Sequence, residues 1–138
     1  PWGEIRRMDC CNTCTACMSE CPTGAILHDR TIIKARQCLT FLNECTDTDT
    51  FPGWLNPEAH HCLIGCMRCQ LACPVNKGKA DHPVAIDEFT EEETGLLLEK
   101  RPLDSLPAGL VERLKKNNMA WYYPLISRNL KALFDKND

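Results

Sequence analysis

Eleven of the 138 residues are cysteine, at positions 10, 11, 14, 17, 21, 38, 45, 62, 66, 69 and 73. Most fall in two tight runs. Neighbours so close cannot all reach partners at disulfide geometry, and an odd number leaves one over. The same crowding suits metal ligation, in which several thiolates converge on one centre. No charged-then-apolar leader opens the sequence, so free thiolates fit a reducing, cytoplasmic setting.

The first run is Cys11-x2-Cys14-x2-Cys17-x3-Cys21-Pro22. This is the ligand pattern of bacterial two-cluster ferredoxins, where three cysteines hold one 4Fe-4S cube and the fourth, before proline, ligates the other. Two-residue gaps let a looping backbone wrap a cube and aim amides at its sulfurs. The three-residue gap fits a short helical turn that carries the last thiolate away, and Pro22 ends that turn. The second run, Cys66-x2-Cys69-x3-Cys73-Pro74, repeats Cys14 to Pro22 gap for gap. A full repeat would need one more cysteine at position 63, where Leu63 stands. Crossing the Cys-Pro ligands assigns Cys11, Cys14, Cys17 and Cys73 to cluster one, and Cys21, Cys66 and Cys69 to cluster two. Cys38, Cys45 and Cys62 are the candidates for the missing ligand; Cys62 is nearest, but its three-residue gap to Cys66 requires a distorted loop. Zinc is the competing metal, since the pairs 14/17 and 66/69 could form a four-cysteine site. One tetrahedral zinc cannot use the triple spacing or the two Cys-Pro ligands.

Three segments, CNTCTACMSECPTGAI from Cys11 to Ile26, RQCLTFLNE from Arg36 to Glu44 and GCMRCQLACPVN from Gly65 to Asn76, resemble the C-terminal ferredoxin region of epoxyqueuosine reductase. They are closer still to its uncharacterised relatives with a 4Fe-4S double-cluster-binding domain. The resemblance covers residues 10–77, and more loosely the tail to about residue 134. It implies that Cys38, the cysteine of RQCLTFLNE, completes cluster two with Cys21, Cys66 and Cys69. It also implies two 4Fe-4S clusters, an electron donor of ferredoxin or flavodoxin type, and a downstream redox centre. The family's reductases carry a cobalamin-binding domain ahead of this region, and no stretch of that length precedes Cys10. Cobalamin contacts and the catalytic acid therefore have no counterparts to carry over. Cys10, Cys45 and Cys62 read as small buried hydrophobes rather than ligands.

The elements that must position these thiolates give a mostly helical α+β fold: a two-cluster ferredoxin-like core with a small C-terminal helical tail. Residues 1–9, with Arg6 and Arg7, read as a linker, residues 10–80 as the cluster domain, and residues 81–138 as a helical appendix docked on it. Ala25–Leu27 and Thr31–Lys34 around a polar turn suggest a small hairpin. The pattern predicts a helix from Ala35 to Asn43 with Cys38, Phe41 and Leu42 on one face. Residues 46–60 read as loop, and a short helix is expected to carry Cys66, Cys69 and Cys73. In the tail, Thr90 with Glu93 forms a capping box that opens a helix from about Glu91 to Lys100. Leu106, Leu110 and Leu114 mark a second helix, stopped near Asn117-Asn118, and Ile126, Leu130, Leu133 and Phe134 a third.

The net charge of −3 gives no footprint for nucleic acid. No apolar run approaches the length of a membrane span. Arg113, Lys115 and Lys116 read as a solvated helix face, the tryptophans 2, 54 and 121 as packing residues, and His28, His60, His61 and His82 as non-ligands. Arg68, inside the second run, is expected to raise a cluster's potential, because a nearby cation favours the more negative reduced state. No nucleophile–base pair, phosphate loop or dinucleotide fingerprint is present. The reading is electron transfer, as the supply domain of a cobalamin-dependent reductase or as a carrier or redox interaction module without catalysis. Clusters that merely staple the fold are the remaining alternative.

Overall fold

The computed structural model describes residues 8–29, 32–79 and 87–135. About half of these are helical. Among the described residues six α-helices form: α1 (Ala16–Ser19), α2 (Leu39–Glu44), α3 (Arg68–Leu71), α4 (Glu91–Leu98), α5 (Ala108–Lys116) and α6 (Tyr123–Phe134), with a single 3-10 turn before each of the first five. The mostly helical expectation holds. Among the described residues β structure is confined to one antiparallel bridge between Ile26 and Ile33, joined by the Lys34 N–H donating to the Ala25 carbonyl at 2.8 Å. Most of the expected linker and the tip of the expected hairpin lie outside the described residues, as do Trp2 and His82.

Two apolar clusters organise the chain. In the first, Leu97, Leu106, Leu110, Leu114, Met119 and Ile126 are buried together, with Leu63 and Ile64 from the cysteine-bearing half against them. In the second, Leu39, Leu42, Leu55 and Ala59 close around α2. α4 packs on α6, α1 on α3, and α2 on α6. The cysteine-rich half is thus built from two very short helices side by side. Helices of four residues are too short to be stable in isolation, so their persistence depends on what their flanking loops are tied to.

The tail follows the sequence closely. Thr90 Oγ1 accepts from the Glu93 N–H at 3.2 Å, and Glu93 Oε2 accepts from the Thr90 N–H at 3.0 Å. Both halves of the capping box are therefore made, satisfying two otherwise orphaned donors. Two helices are shorter than the apolar pattern suggests. α4 stops at Leu98, with Lys100 at φ 55° beyond it. The expected Ala35–Asn43 helix breaks at Cys38, whose ψ of 126° is extended, leaving a 3-10 turn over Ala35–Gln37 and α2 after it. The break turns Leu39, Leu42 and Asn43 inward and leaves Phe41 exposed, so Cys38 and Phe41 do not share a buried face. On α6 the buried positions are Leu125, Ile126, Ser127 and Asn129, while Phe134 is exposed. Among the described residues no helix is long and apolar enough to cross a membrane.

Candidate metal centre

The cysteines gather around two cavities. The larger, about 400 Å³, is lined by six of them: Cys17, Cys21, Cys38, Cys66, Cys69 and Cys73. The smaller, about 30 Å³, is lined by Cys10, Cys11, Cys14, Cys17 and Cys73. Cys17 and Cys73 border both, so the two sites adjoin. Cys45 and Cys62 line neither. Among the described residues no three or more His, Cys, Asp or Glu side chains form a group of the kind that holds a single metal ion; the thiols are instead arranged around the cavities' walls.

α1 and α3 lie side by side and place the two runs face to face. α1 carries Cys17 and ends before Cys21, which therefore leaves the helix axis; the proline that follows is incompatible with a helical residue before it. α3 carries Cys69 alone, a correction to the expected single helix over Cys66, Cys69 and Cys73. Cys66 precedes it and Cys73 follows it, at the start of a 3-10 turn over Pro74–Asn76. The reason is Met67, whose φ of 60° puts a side-chain-bearing residue in the left-handed region between Cys66 and α3. That conformation costs about 1–2 kcal/mol in a residue with a Cβ, and it bends the chain so that Cys66 and Cys69 face one cavity.

Cys21 sits in a ring of donors. Burial alone pushes its thiol up, but hydrogen bonds from the Thr23 N–H and hydroxyl and from the Ala25 and Ile26 N–H groups outweigh it, and the thiol lies below its ordinary value. The Ala25 N–H reaches the sulfur at 3.2 Å. Gly24, at φ 63°, makes the tight turn that lets these amides converge. Burial raises the Cys66 and Cys69 thiols, and the neighbouring sulfurs of Cys21 and Cys38 raise both further; the Arg68 N–H opposes this at Cys66. Cys21, Cys38, Cys66 and Cys69 are thus close enough to repel one another as thiolates, a repulsion that bound cations relieve.

Cys62 faces elsewhere. Its thiol donates to the Gly65 carbonyl at 3.0 Å, and burial, with Cys66 nearby, pushes it up to about 11. Both ring nitrogens of His61 meet carbonyl oxygens, of Ala59 and Cys66, at 2.9 Å. The His60 ring is buried and packs edge-on against Phe51 with centroids 4.4 Å apart. His28 is exposed. Against expectation Trp54 and Trp121 are exposed, at 53% and 84%. Arg113 and Lys116 are likewise not simply solvated. Arg113 pairs with Glu93 and lies over the Phe89 ring, and Lys116 pairs with Asp87 at 2.9 Å.

The residues that sequence reasoning missed are polar: Asn43 and Asn129 are buried and Arg128 is half-buried. The Asn43 side-chain amide donates to the carbonyls of Gly65 at 2.9 Å and Cys62 at 3.4 Å. Arg128 donates to the carbonyls of Leu42, Asn43, Cys45 and Thr48, and its guanidinium lies 4.4 Å from the centre of the Phe51 ring. Asn129 bonds the carbonyls of Asn43 and Leu63, each at 2.8 Å. Together they tie α6, α2 and the approach to Cys66 into one unit.

Residues 10–76 match the family model described as the 4Fe-4S double cluster binding domain. That segment belongs to this iron–sulfur family. The chain is 33% identical over 107 residues to epoxyqueuosine reductase of Shewanella oneidensis, covering 68% of this chain and 27% of that protein. It is 40% identical over 75 residues to epoxyqueuosine reductase of Bacillus subtilis, covering 54% and 18%. An uncharacterized protein in the gldA 3'region of Geobacillus stearothermophilus is 39% identical over 75 residues, covering 54% and 33%. The chain therefore spans a third or less of the length of these relatives. No solved structure matches it. Clusters of the 4Fe-4S type and relationship to an oxidoreductase are what these similarities establish, and both accord with electron transfer.

The donor sets fit such clusters in type and number. Around the larger cavity stand the thiols of Cys21, Cys38, Cys66 and Cys69, together with the shared Cys17 and Cys73. Around the smaller stand those of Cys11, Cys14, Cys17 and Cys73, with Cys10 beside them. The second cavity is the smaller of the two, at about 30 Å³.

Proposed function

We propose that this chain transfers electrons through two 4Fe-4S clusters, held by Cys11, Cys14, Cys17 and Cys73 and by Cys21, Cys38, Cys66 and Cys69. The observation that carries the reading is the sorting of the thiols: each proposed set borders its own cavity, and Cys17 and Cys73 border both. Each bound cube supplies a one-electron couple. The chain's own residues supply the rest. Amides and a hydroxyl directed at Cys21 stabilise its thiolate, short helices hold the donors apart around each site, and Ala25 and Leu39 form dry wall on one side. Burial and hydrogen bonds to the sulfurs set the potential.

In this reading residues 10–80 are a ferredoxin-like domain of α+β descent whose β part is reduced to the Ile26–Ile33 bridge. Residues 81–138 are read as its helical appendix and residues 1–9 as a linker. The chain serves as the electron-supply part of a cobalamin-dependent reductase resembling epoxyqueuosine reductase. It takes electrons from a donor of ferredoxin or flavodoxin type and passes them to a downstream redox centre. The similarity to the Shewanella protein supports this by reaching past the cysteines, over 107 residues.

The test is iron and acid-labile sulfide per chain on anaerobically purified protein, with low-temperature EPR after dithionite reduction. Roughly eight irons and a broadened, interacting signal are expected. About four irons would remove one cluster from the proposal, and zinc without iron would remove the redox function.

A further inference from the structure

Five thiols, not four, border the smaller cavity: Cys10, Cys11, Cys14, Cys17 and Cys73. A cube takes four cysteines, so one thiol is in excess. Cys10 and Cys11 are consecutive in a single 3-10 turn, Asp9–Asn12. At three residues per turn, consecutive side chains point about 120° apart, so one of two neighbours ordinarily faces away. Here both reach the cavity. Cys10 lines it together with Cys11, Cys14 and Cys73. The Cys10 carbonyl also accepts from the Cys14 N–H at 3.3 Å, tying its backbone to the ligand loop. Cys10 is exposed, whereas Cys11 is half-buried.

Sequence register alone does not produce this. Cys62 stands four residues before Cys66 just as Cys10 stands four before Cys14. Yet the Cys62 thiol donates to the Gly65 carbonyl and borders neither cavity. Of these two cysteines in equivalent register, one is occupied by its own loop and the other is held beside a metal-type donor set.

We propose that Cys10 is a reserve ligand for cluster one, able to replace Cys11 within the set completed by Cys14, Cys17 and Cys73. This rests on the two-cluster reading above. The exchange is a ligand substitution with no change in oxidation state. The iron–sulfur bond to Cys11 breaks, a bond to Cys10 forms, and the proton leaving the Cys10 thiol is taken up by the released Cys11 thiolate. Two adjacent thiols on one turn allow it without repositioning the loop that carries Cys14 and Cys17.

The experiment compares the wild type with Cys10→Ala, Cys11→Ala, the double variant and Cys14→Ala, all purified anaerobically as the full chain. Iron and sulfide per chain and EPR of the reduced protein are the readouts. Cys11→Ala is expected to keep about eight irons with an altered cluster-one signal. Cys10→Ala should keep eight with the wild-type signal, and the double variant should fall to about four. Cys14→Ala, with no neighbour to stand in for it, should also fall to four. Four irons in Cys11→Ala, or eight in the double variant or in Cys14→Ala, overturns the proposal. So does an altered signal in Cys10→Ala with an unaltered one in Cys11→Ala, which would make Cys10 the resident ligand. Fewer than eight irons in the wild type would instead overturn the two-cluster reading. Should Cys11→Ala not fold, Cys11→Val, which also lacks a donor atom, carries the same comparison.

Discussion

The Asn43 side chain donates to the Gly65 carbonyl at 2.9 Å, joining α2, just after Cys38, to the turn just before Cys66. Asn43 is fully buried, and its Oδ1 finds no hydrogen-bond partner among the described residues. Gly65 is at φ 73°, a conformation that a Cβ would strain. The pair therefore fixes the spacing of two proposed cluster-two ligands from different parts of the chain. Replacing Asn43 by Leu removes this donor from both carbonyls; Gly65 keeps the Cys62 thiol, while the Cys62 carbonyl is stranded at a cost of about 1–3 kcal/mol. A lower melting temperature of the cluster-loaded protein is expected, with cluster-two iron lost before cluster-one iron on heating. Calorimetry with EPR of partly heated samples checks both; uniform loss from the two sites would count against the spacing role.

Cys62 and Cys38 are separated by the same assay. The Cys62 thiol is engaged with Gly65 and held protonated, at about 11, so Cys62→Ala should retain about eight irons. Cys38→Ala should retain about four. Iron analysis of the two variants side by side decides which cysteine completes cluster two.

Arg68 lies close enough to Cys66 for its charge to lower that thiol, with its own N–H acting in the same direction. A cation there favours the more negative reduced state. Arg68→Gln should lower the potential of cluster two by an amount on the order of tens of millivolts, small against the range such clusters span. An EPR-monitored redox titration reads it, and an unchanged potential would show that solvent screens the charge.

Tyr123 links α6 to the end of the α4 region by donating its hydroxyl to the Arg101 carbonyl at 2.6 Å. Burial raises its phenol above the ordinary value of 10.0. A raised folded-state value means that this contribution to stability is complete below pH 10 and is lost as pH rises through the folded value. Thermal melts of wild type and Tyr123→Phe should therefore differ at pH 8 and converge above that value. A constant difference across the range would rule out the linkage.

Spacing pointed to seven of the proposed ligands, because ligation by a compact centre leaves few geometries open to cysteines two and three residues apart, whereas Cys38 was proposed from the resemblance alone. Thr90 and Glu93, and the leucines of α5, were equally legible, since caps and helical stripes are local. The path of the backbone at the ligands was not. Periodicity ran Cys38 into one helix with Phe41 and put Cys66, Cys69 and Cys73 on another. The structure instead sets Cys38 in extended backbone and Met67 in the left-handed region. A convergent site needs such breaks, and a pattern search smooths over them. Arg128 was invisible for another reason. A helical arginine reads as solvent-facing, and only the tertiary fold supplies the four carbonyls that receive it.

Those carbonyls belong to residues made long before their partner. Leu42 and Asn43 precede Arg128 by 86 and 85 positions, and Asn129 closes over Asn43 and Leu63 from the same end. At ordinary rates of synthesis the interval is roughly 4–17 s. All eleven thiols thus emerge from the ribosome while the clamp on the Cys38 segment has yet to be made. The cavity walls, all drawn from residues 8–76, are thus synthesised before the last helix that ties α2 and the Leu63 segment together.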